Sequence, residues 1–340
     1  MIKIVVDCFG GDRSPNANIE GAVRALNEVN DLYVIFTGDE AIISEELKKY
    51  TYDKSRTEIL HAPDVISCND KPTEAIRSKK ESSLVKGFEL LRYNEDVKGI
   101  VSSGSTGAVL SGAVMKVGRI KGVKRPAFCP IVPTMVGGVV GVCDSGANVD
   151  CDPLHLSQFA LMGSLYMERA YNIKNPKVAL LNIGTEEEKG DALRKETYQL
   201  LKNQKQINFV GNMESRDLLT GNYDLVVCDG FSGNVLIKTT EGTSMELMKL
   251  LKKSITSTFV SKIGAALIKK KMYEIKDMMD YNNYGGGVML GVSKVIVKAH
   301  GSSKSTAIYN CVKQAYTLAK NNLCEIIGEE IQKVSETENQ

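Results

Sequence analysis

Five short loops in this chain carry residue types that can hold an anion: "CFGGD" (8–12), "GSTGA" (104–108), "GTEEEKG" (184–190), "GFSGN" (230–234) and "HGSS" (300–303). Each stands at the end of an apolar run. Glycine lets backbone N–H groups and helix N-termini approach an anion closely, and the interleaved hydroxyls and amides add donors. Acid–base groups are scarce beside them. A site of this composition suits an anion that reacts without a protein nucleophile, and inorganic phosphate attacking a thioester fits. The dianion is already nucleophilic and a thiolate leaves with little acid help, so the protein contributes positioning, charge neutralisation and oxyanion donors. Glycine, serine and aspartate also terminate strands and cap helices in most α/β proteins. The conjunction of five such loops, rather than any one, points to a shared site.

Several familiar chemistries lack their residues. G-x-G-x-x-G is absent, and "GSTG" and "GFSG" supply only part of it; G-x-x-x-x-G-K-[ST] is absent because Lys189 precedes its glycine. No G-x-S-x-G elbow occurs, since Gly233 follows Ser232 directly. The 3 histidines and 8 cysteines do not cluster at ligand spacing, so no metal site and no cofactor is expected. His61 and His155 show no partner in the sequence; His300, at a strand end, is the histidine to watch.

The elements that must position these loops are short β-branched runs ("IKIVV", "LYVIFT", "GIVSS", "KVALLNI", "YDLVVCD", "KVIVKA") alternating with helical-period stretches such as "NANIEGAVRALNEV". Continuous apolar strands joined by helices predict an α/β fold, a mainly parallel sheet covered on both faces. In such a sheet the carboxyl ends of the strands form the ligand crevice. "AFCPIVPT" and "GGVVGVC" lie close enough to pair antiparallel at its edge. No linker or repeat divides the chain, which reads as one domain over 1–330 with a helical segment at about 235–282 and a polar tail at 331–340 that lacks an apolar face.

With 340 residues, 43% apolar and 25% charged, the chain has globular composition. Its 43 Lys plus Arg nearly cancel its 41 Asp plus Glu, so the net charge of +2 draws it to neither nucleic acid nor membrane as a whole. The scattered cysteines without C-x-x-C read as reduced core thiols, and no run approaches a membrane span. A cytoplasmic protein, at most surface-attached, is expected.

"DCFGGD", "KPTEAIRSKKESS", "SSGSTGA", "RPAF", "DSGANVDCDPLHLSQFALMG", "LLNIGTEEEKGD", "NFVGNMESRDL", "VVCDGFSGNVLIKTTEG", "YGGG" and "AHGSS" occur in the order seen in the phosphate acyltransferase (PlsX) family of bacterial phospholipid synthesis, and the chain resembles that family over about residues 1–320. The resemblance implies an α/β/α sandwich related to isocitrate and isopropylmalate dehydrogenases and to phosphotransacetylase. It implies a cytoplasmic homodimer that converts long-chain acyl-[acyl carrier protein] and phosphate to acyl phosphate and free carrier, feeding a membrane glycerol-3-phosphate acyltransferase. The chain departs from the family at Cys8–Phe9, where Ala-Met is usual, at Ser105, where Asn is usual, and at "GVM" after Gly286. The nearest alternative is a phosphotransacetylase-like enzyme using short acyl-CoA; an isopropylmalate-type dehydrogenase and a non-catalytic membrane scaffold are more distant.

Within this frame Lys189, an ammonium among Gly184, Thr185 and Gly190 at a helix start, is expected to meet phosphate or the developing oxyanion. Asn234 is expected to donate to the thioester carbonyl. Gly11, Asp12, Gly104, Thr106, Gly107, Asn148, Ser232, Gly233, His300 and Ser302 are the binding candidates from the same loops. The acyl donor's carrier is acidic, and the run "KVGRIKGVKR" offers Arg119, Lys121 and Lys124 for docking. Residues 252–272 carry six lysines and no acid, with Phe259, Ile263 and Leu267 at helical spacing, a face suited to dimer packing or to an anionic membrane.

Overall fold

The computed structural model describes residues 1–278 and 283–338. In chain order the strands are β1 (Ile2–Asp7), β2 (Leu32–Gly38), β3 (Thr57–His61), β4 (Val97–Ser102), β5 (Ala127–Cys129), β6 (Ile131–Pro133), β7 (Val139–Cys143), β8 (Lys177–Asn182), β9 (Asn208–Glu214), β10 (Leu225–Val227), β11 (Gly287–Leu290) and β12 (Val295–Lys298). The helices are α1 (Asn16–Glu28), α2 (Glu40–Leu47), α3 (Pro72–Ser78), α4 (Ser83–Tyr93), α5 (Thr106–Gly112), α6 (Pro153–Tyr171), α7 (Ala192–Asn203), α8 (Gly230–Ile255), α9 (Phe259–Met278), α10 (Ser305–Lys320) and α11 (Leu323–Glu338).

The apolar runs form strands as expected, but they build two sheets rather than one. The first has the order β3-β2-β1-β4-β12-β11-β5 and the second β6-β7-β10-β8-β9. All pairings among β3, β2, β1, β4 and β12 are parallel, as are those among β7, β10, β8 and β9. Pro130 marks the break between the sheets. It has no N–H to extend a ladder, and the chain changes partners across it: β5 pairs antiparallel with β11, while β6 pairs antiparallel with β7. The predicted antiparallel pair is therefore half right, since "AFC" belongs to the other sheet.

One apolar core joins the two sheets. It runs from Ile4, Val34 and Phe36 through Phe159, Tyr166 and Met167 of α6 to Leu180 and Leu225. Five cysteines are buried, four of them (Cys8, Cys129, Cys143 and Cys311) in this core, whereas Cys68 is exposed. Two histidines without evident sequence partners turn out to be caps. His155 completes a capping box on α6, donating its N–H to Asp152 Oδ1 at 3.0 Å and accepting the Asp152 N–H at Nδ1 at 3.1 Å. His61 Nδ1 accepts the Glu40 N–H at 3.2 Å, at the start of α2.

The predicted polar tail requires correction. Helix α11 continues to Glu338, with Ile331 buried and Val334 packed on the core, so the spacing of these two apolar residues supplies the face that composition alone hid. The last two residues of that segment lie outside the described residues. So do 279–282 of the expected helical segment; its remainder is the long α8 and α9.

Candidate active site

The first sheet brings three of the five loops together. Asp7, at the end of β1, is buried and accepts the hydroxyls of Ser83 and Ser102, each at 2.6 Å. Burial pushes its carboxyl pKa up, and the two hydroxyls pull against that shift. Asn18 Nδ2 donates to the carbonyls of Asp7 at 2.9 Å and Gly10 at 3.0 Å, and Ser103 Oγ donates to Gly10 O at 2.5 Å. A Cβ on Gly10 would sit 2.5 Å from Gly104 N, so only glycine permits this approach of the β1 and β4 loops. The Asp12 N–H donates to Gly301 O at 2.8 Å, tying in the loop after β12.

The second sheet holds its loops with two carboxylates. Asp144, fully buried after β7, accepts the N–H groups of Phe128 at 2.8 Å, Ala147 at 3.1 Å and Asn148 at 2.6 Å, and Asn148 Nδ2 at 3.0 Å. Burial raises its pKa against these donors. Asp229 caps α8 by accepting the Ser232 N–H at 2.8 Å and pairs with Arg194, which also donates to Ser232 Oγ at 3.0 Å. Burial alone would raise the Asp229 pKa, but Ser232 and Arg194 outweigh it and hold the carboxyl below its ordinary value.

Between the sheets lies a cavity of about 640 Å³. Thr106, Ser145, Asn234, Lys298 and His300 supply polar lining, and Phe128, Ile131, Val132, Ile237, Met245 and Met248 supply apolar lining. Asn234 stands against Gly146, where an added Cβ would lie 3.3 Å from its Nδ2. From Asn234 to Met248 helix α8 runs about 20 Å along this space. The cavity thus joins a polar, cationic region to an extended apolar wall.

His300 Nδ1 accepts the Ser302 N–H at 3.3 Å and lies 2.9 Å from Ser302 Oγ. The neutral ring then carries its proton on Nε2. Partial burial, with the cations Lys238 and Lys298 nearby, lowers its pKa and favours that neutral form. Lys298 closes the apolar run of β12 and is only 7% exposed; burial brings its pKa down to about 8. The sequence reading missed it, although a lysine ending a buried apolar strand was a visible anomaly. Asp7 and Asp144 end apolar strands in the same way.

The predicted residues separate into groups. Thr106, Asn234 and His300 line the cavity directly, while Gly11, Asp12, Gly104 and Ser302 belong to the same loops but are not among its lining residues. Asn148 and Ser232 have their donors engaged elsewhere: the Asn148 amide bonds Pro126 O at 2.7 Å and Asp144, and the Ser232 hydroxyl donates to Asp229 at 2.8 Å. Gly107 and Gly233 serve close packing, against Pro72 and the Asp144 carbonyl. Ser105 precedes α5 without a side-chain cap bond. Lys189 precedes α7 as expected but is exposed, with its stem against Gly184 and its carbonyl accepting from Asn182 Nδ2 at 3.0 Å; it is not among the cavity-lining residues. Arg119, Lys121 and Lys124 are exposed together on one loop, with Arg119 donating to the Lys124 carbonyl. Phe259, Ile263 and Leu267 of α9 are 79%, 52% and 83% exposed.

This arrangement of strands and helices is the phosphotransacetylase fold. The EutD phosphotransacetylase from Staphylococcus aureus superposes with a TM-score of 0.58 at 16% identity, covering 94% of each chain. A branched-chain phosphotransacylase from Enterococcus faecalis V583 gives 0.57 at 15% identity, over 94% of this chain and 99% of that one. A family model described as "Fatty acid synthesis protein" matches residues 2–326. The phosphate acyltransferase of Clostridium tetani (strain Massachusetts / E88) is 48% identical over 97% of this chain and 98% of its own length, and that of Clostridium novyi (strain NT) is 46% identical over 97% and 99%. The chain belongs to the phosphate acyltransferase family.

Proposed function

We propose that this protein transfers the acyl group of a long-chain acyl-[acyl carrier protein] to inorganic phosphate, releasing acyl phosphate and free carrier for phospholipid synthesis. The observation that carries the reading is the single cavity in which a cationic, amide-bearing region meets the apolar wall of α8. A phosphate oxygen forms the new C–O bond to the thioester carbonyl carbon, the C–S bond breaks, and the proton of hydrogen phosphate ends on the departing thiol. The protein's share is to desolvate and orient the dianion and to hold the carbonyl oxygen as it gains charge. Asn234 is the amide donor to that oxygen. Lys189, exposed before α7 and outside the cavity lining, has to reach in from solvent to act at the phosphate or oxyanion, and Lys189→Ala with full turnover would remove it from the mechanism.

The carrier docks on the exposed basic loop of Arg119, Lys121 and Lys124, where opposite charge steers an acidic protein. Charge reversal there raises the KM for carrier-bound donors and leaves short free thioesters unaffected. The exposed apolar residues of α8 and α9 form a homodimer contact and a peripheral contact with the inner face of the membrane, close to the glycerol-3-phosphate acyltransferase that consumes the product. Among the described residues no helix is long and apolar enough to cross a membrane.

Purified protein with palmitoyl-[acyl carrier protein], phosphate and hydroxylamine tests the reading. Phosphate-dependent hydroxamate is expected from this donor and not from acetyl-CoA. Equal or better turnover of acetyl-CoA would replace it with the phosphotransacetylase-like alternative.

A further inference from the structure

Lysine is almost never buried without a partner, because an ammonium loses its hydration on leaving water. Lys298 is buried at the end of β12 and lines the cavity, and its one hydrogen bond described is to the carbonyl of the adjacent Ala299. No ion pair among the described residues includes it. The charged and titratable groups around it are Lys238 and Glu241 of α8, Asp12 from the β1 loop, neighbouring His300, Cys311 of α10 and Cys68. Glu241 is already paired with Lys238 at 2.8 Å, and Asp12 is exposed to solvent. A buried cation in an open cavity that hydroxyl, amide and imidazole groups also line is the arrangement a small, doubly charged oxyanion completes.

We propose that Lys298 is a phosphate-binding residue of this site, holding inorganic phosphate by a charge-assisted hydrogen bond as the acyl acceptor. The inference rests on the acyl-transfer reading above. The other source of the same chemistry is the phosphodiester of the acyl donor's prosthetic arm, and the two are distinguished by which KM responds. An oxyanion partner also accounts for a buried ammonium at this position. With phosphate bound the charge is compensated; without it the ammonium is a standing cost to the fold.

Wild-type turnover first establishes the reaction, so that failure of the reading is seen separately from failure of this assignment. Lys298→Met and Lys298→Gln are then expected to raise the KM for phosphate about 10- to 100-fold, the range of a hydrogen bond to a charged group, with the KM for the acyl donor unchanged. A second measurement needs no variant: amine acetylation of the wild-type protein at pH 8, read by mass spectrometry. Phosphate is expected to slow labelling of Lys298 relative to chloride at equal ionic strength. An unchanged phosphate KM in a folded variant overturns the assignment. A rise confined to the donor KM, or labelling indifferent to phosphate, overturns it equally.

Discussion

At the scale of residues the site divides into groups that hold loops and groups that face the cavity. Asp144 belongs to the first kind: four N–H donors converge on a fully buried carboxylate, which organises Ser145 and Gly146 opposite Asn234. Asp144→Ala leaves those donors without an acceptor and is expected to cost about 2–4 kcal/mol in urea unfolding, together with most of the activity. Lys298 belongs to the second kind, and its titration carries a sign that can be worked out. Its folded pKa of about 8 lies below its ordinary 10.5, so between these values the unfolded chain binds the proton that the folded chain has lost. Stability then rises with pH across that window, and below it the buried ammonium is a constant penalty of about 3 kcal/mol. Without phosphate, Lys298→Met is expected to be more stable than wild type at pH 7, with the gap narrowing above pH 8 and closing only above the ordinary pKa of 10.5. A gap that stays constant with pH would contradict this account of Lys298.

Elements were the most legible feature of the sequence, for a physical reason. Strands buried on both faces read as unbroken apolar runs, and β1, β4, β8, β10 and β12 all stand where such runs occur. Strand pairing is not local, so nothing in "AFCPIVPT" announces that Pro130 divides two sheets. Of the candidate site residues, Thr106, Asn234 and His300 stand where strand-end loops open on the cavity, a placement that the position of the loops in the sequence suggests. The donors of Ser232 and Asn148 are taken up close by in the chain, by Asp229 and Asp144, while Arg194 donates to Ser232 Oγ from a distant helix, and residue types alone do not announce such engagements. Helix α1 offers a prediction at this scale. A Cβ on Gly21 would lie 2.5 Å from Ser305 O and 2.7 Å from Ile308 Cβ of α10. Gly21→Val therefore forces α1 off α10, and the overpacking is expected to cost about 1–3 kcal/mol. Thermal melts check this; a Tm equal to or above wild type would mean that the seam yields without cost.

On the scale of the whole molecule, two mainly parallel sheets share one core and face each other across the cavity, so loops far apart in sequence build one site. The long helices α8 and α9 then extend an apolar wall away from it, and Met245, Leu247 and Leu250 remain exposed along α8 as Phe259, Ile263 and Leu267 do along α9. Burial of these residues against a second copy and against lipid is the corresponding expectation. Phe259→Asp with Leu267→Asp should reduce co-sedimentation with anionic liposomes while leaving turnover of soluble donor intact; unaltered sedimentation would exclude α9 from the membrane contact.

The most direct test of the central claim follows the oxygen atoms. With palmitoyl-[acyl carrier protein] and fully ¹⁸O-labelled phosphate, attack by phosphate at the thioester carbonyl predicts an acyl phosphate, observed by mass spectrometry, that retains every labelled oxygen. Release of free palmitate at a rate indifferent to phosphate, with no labelled acyl phosphate formed, would contradict the account.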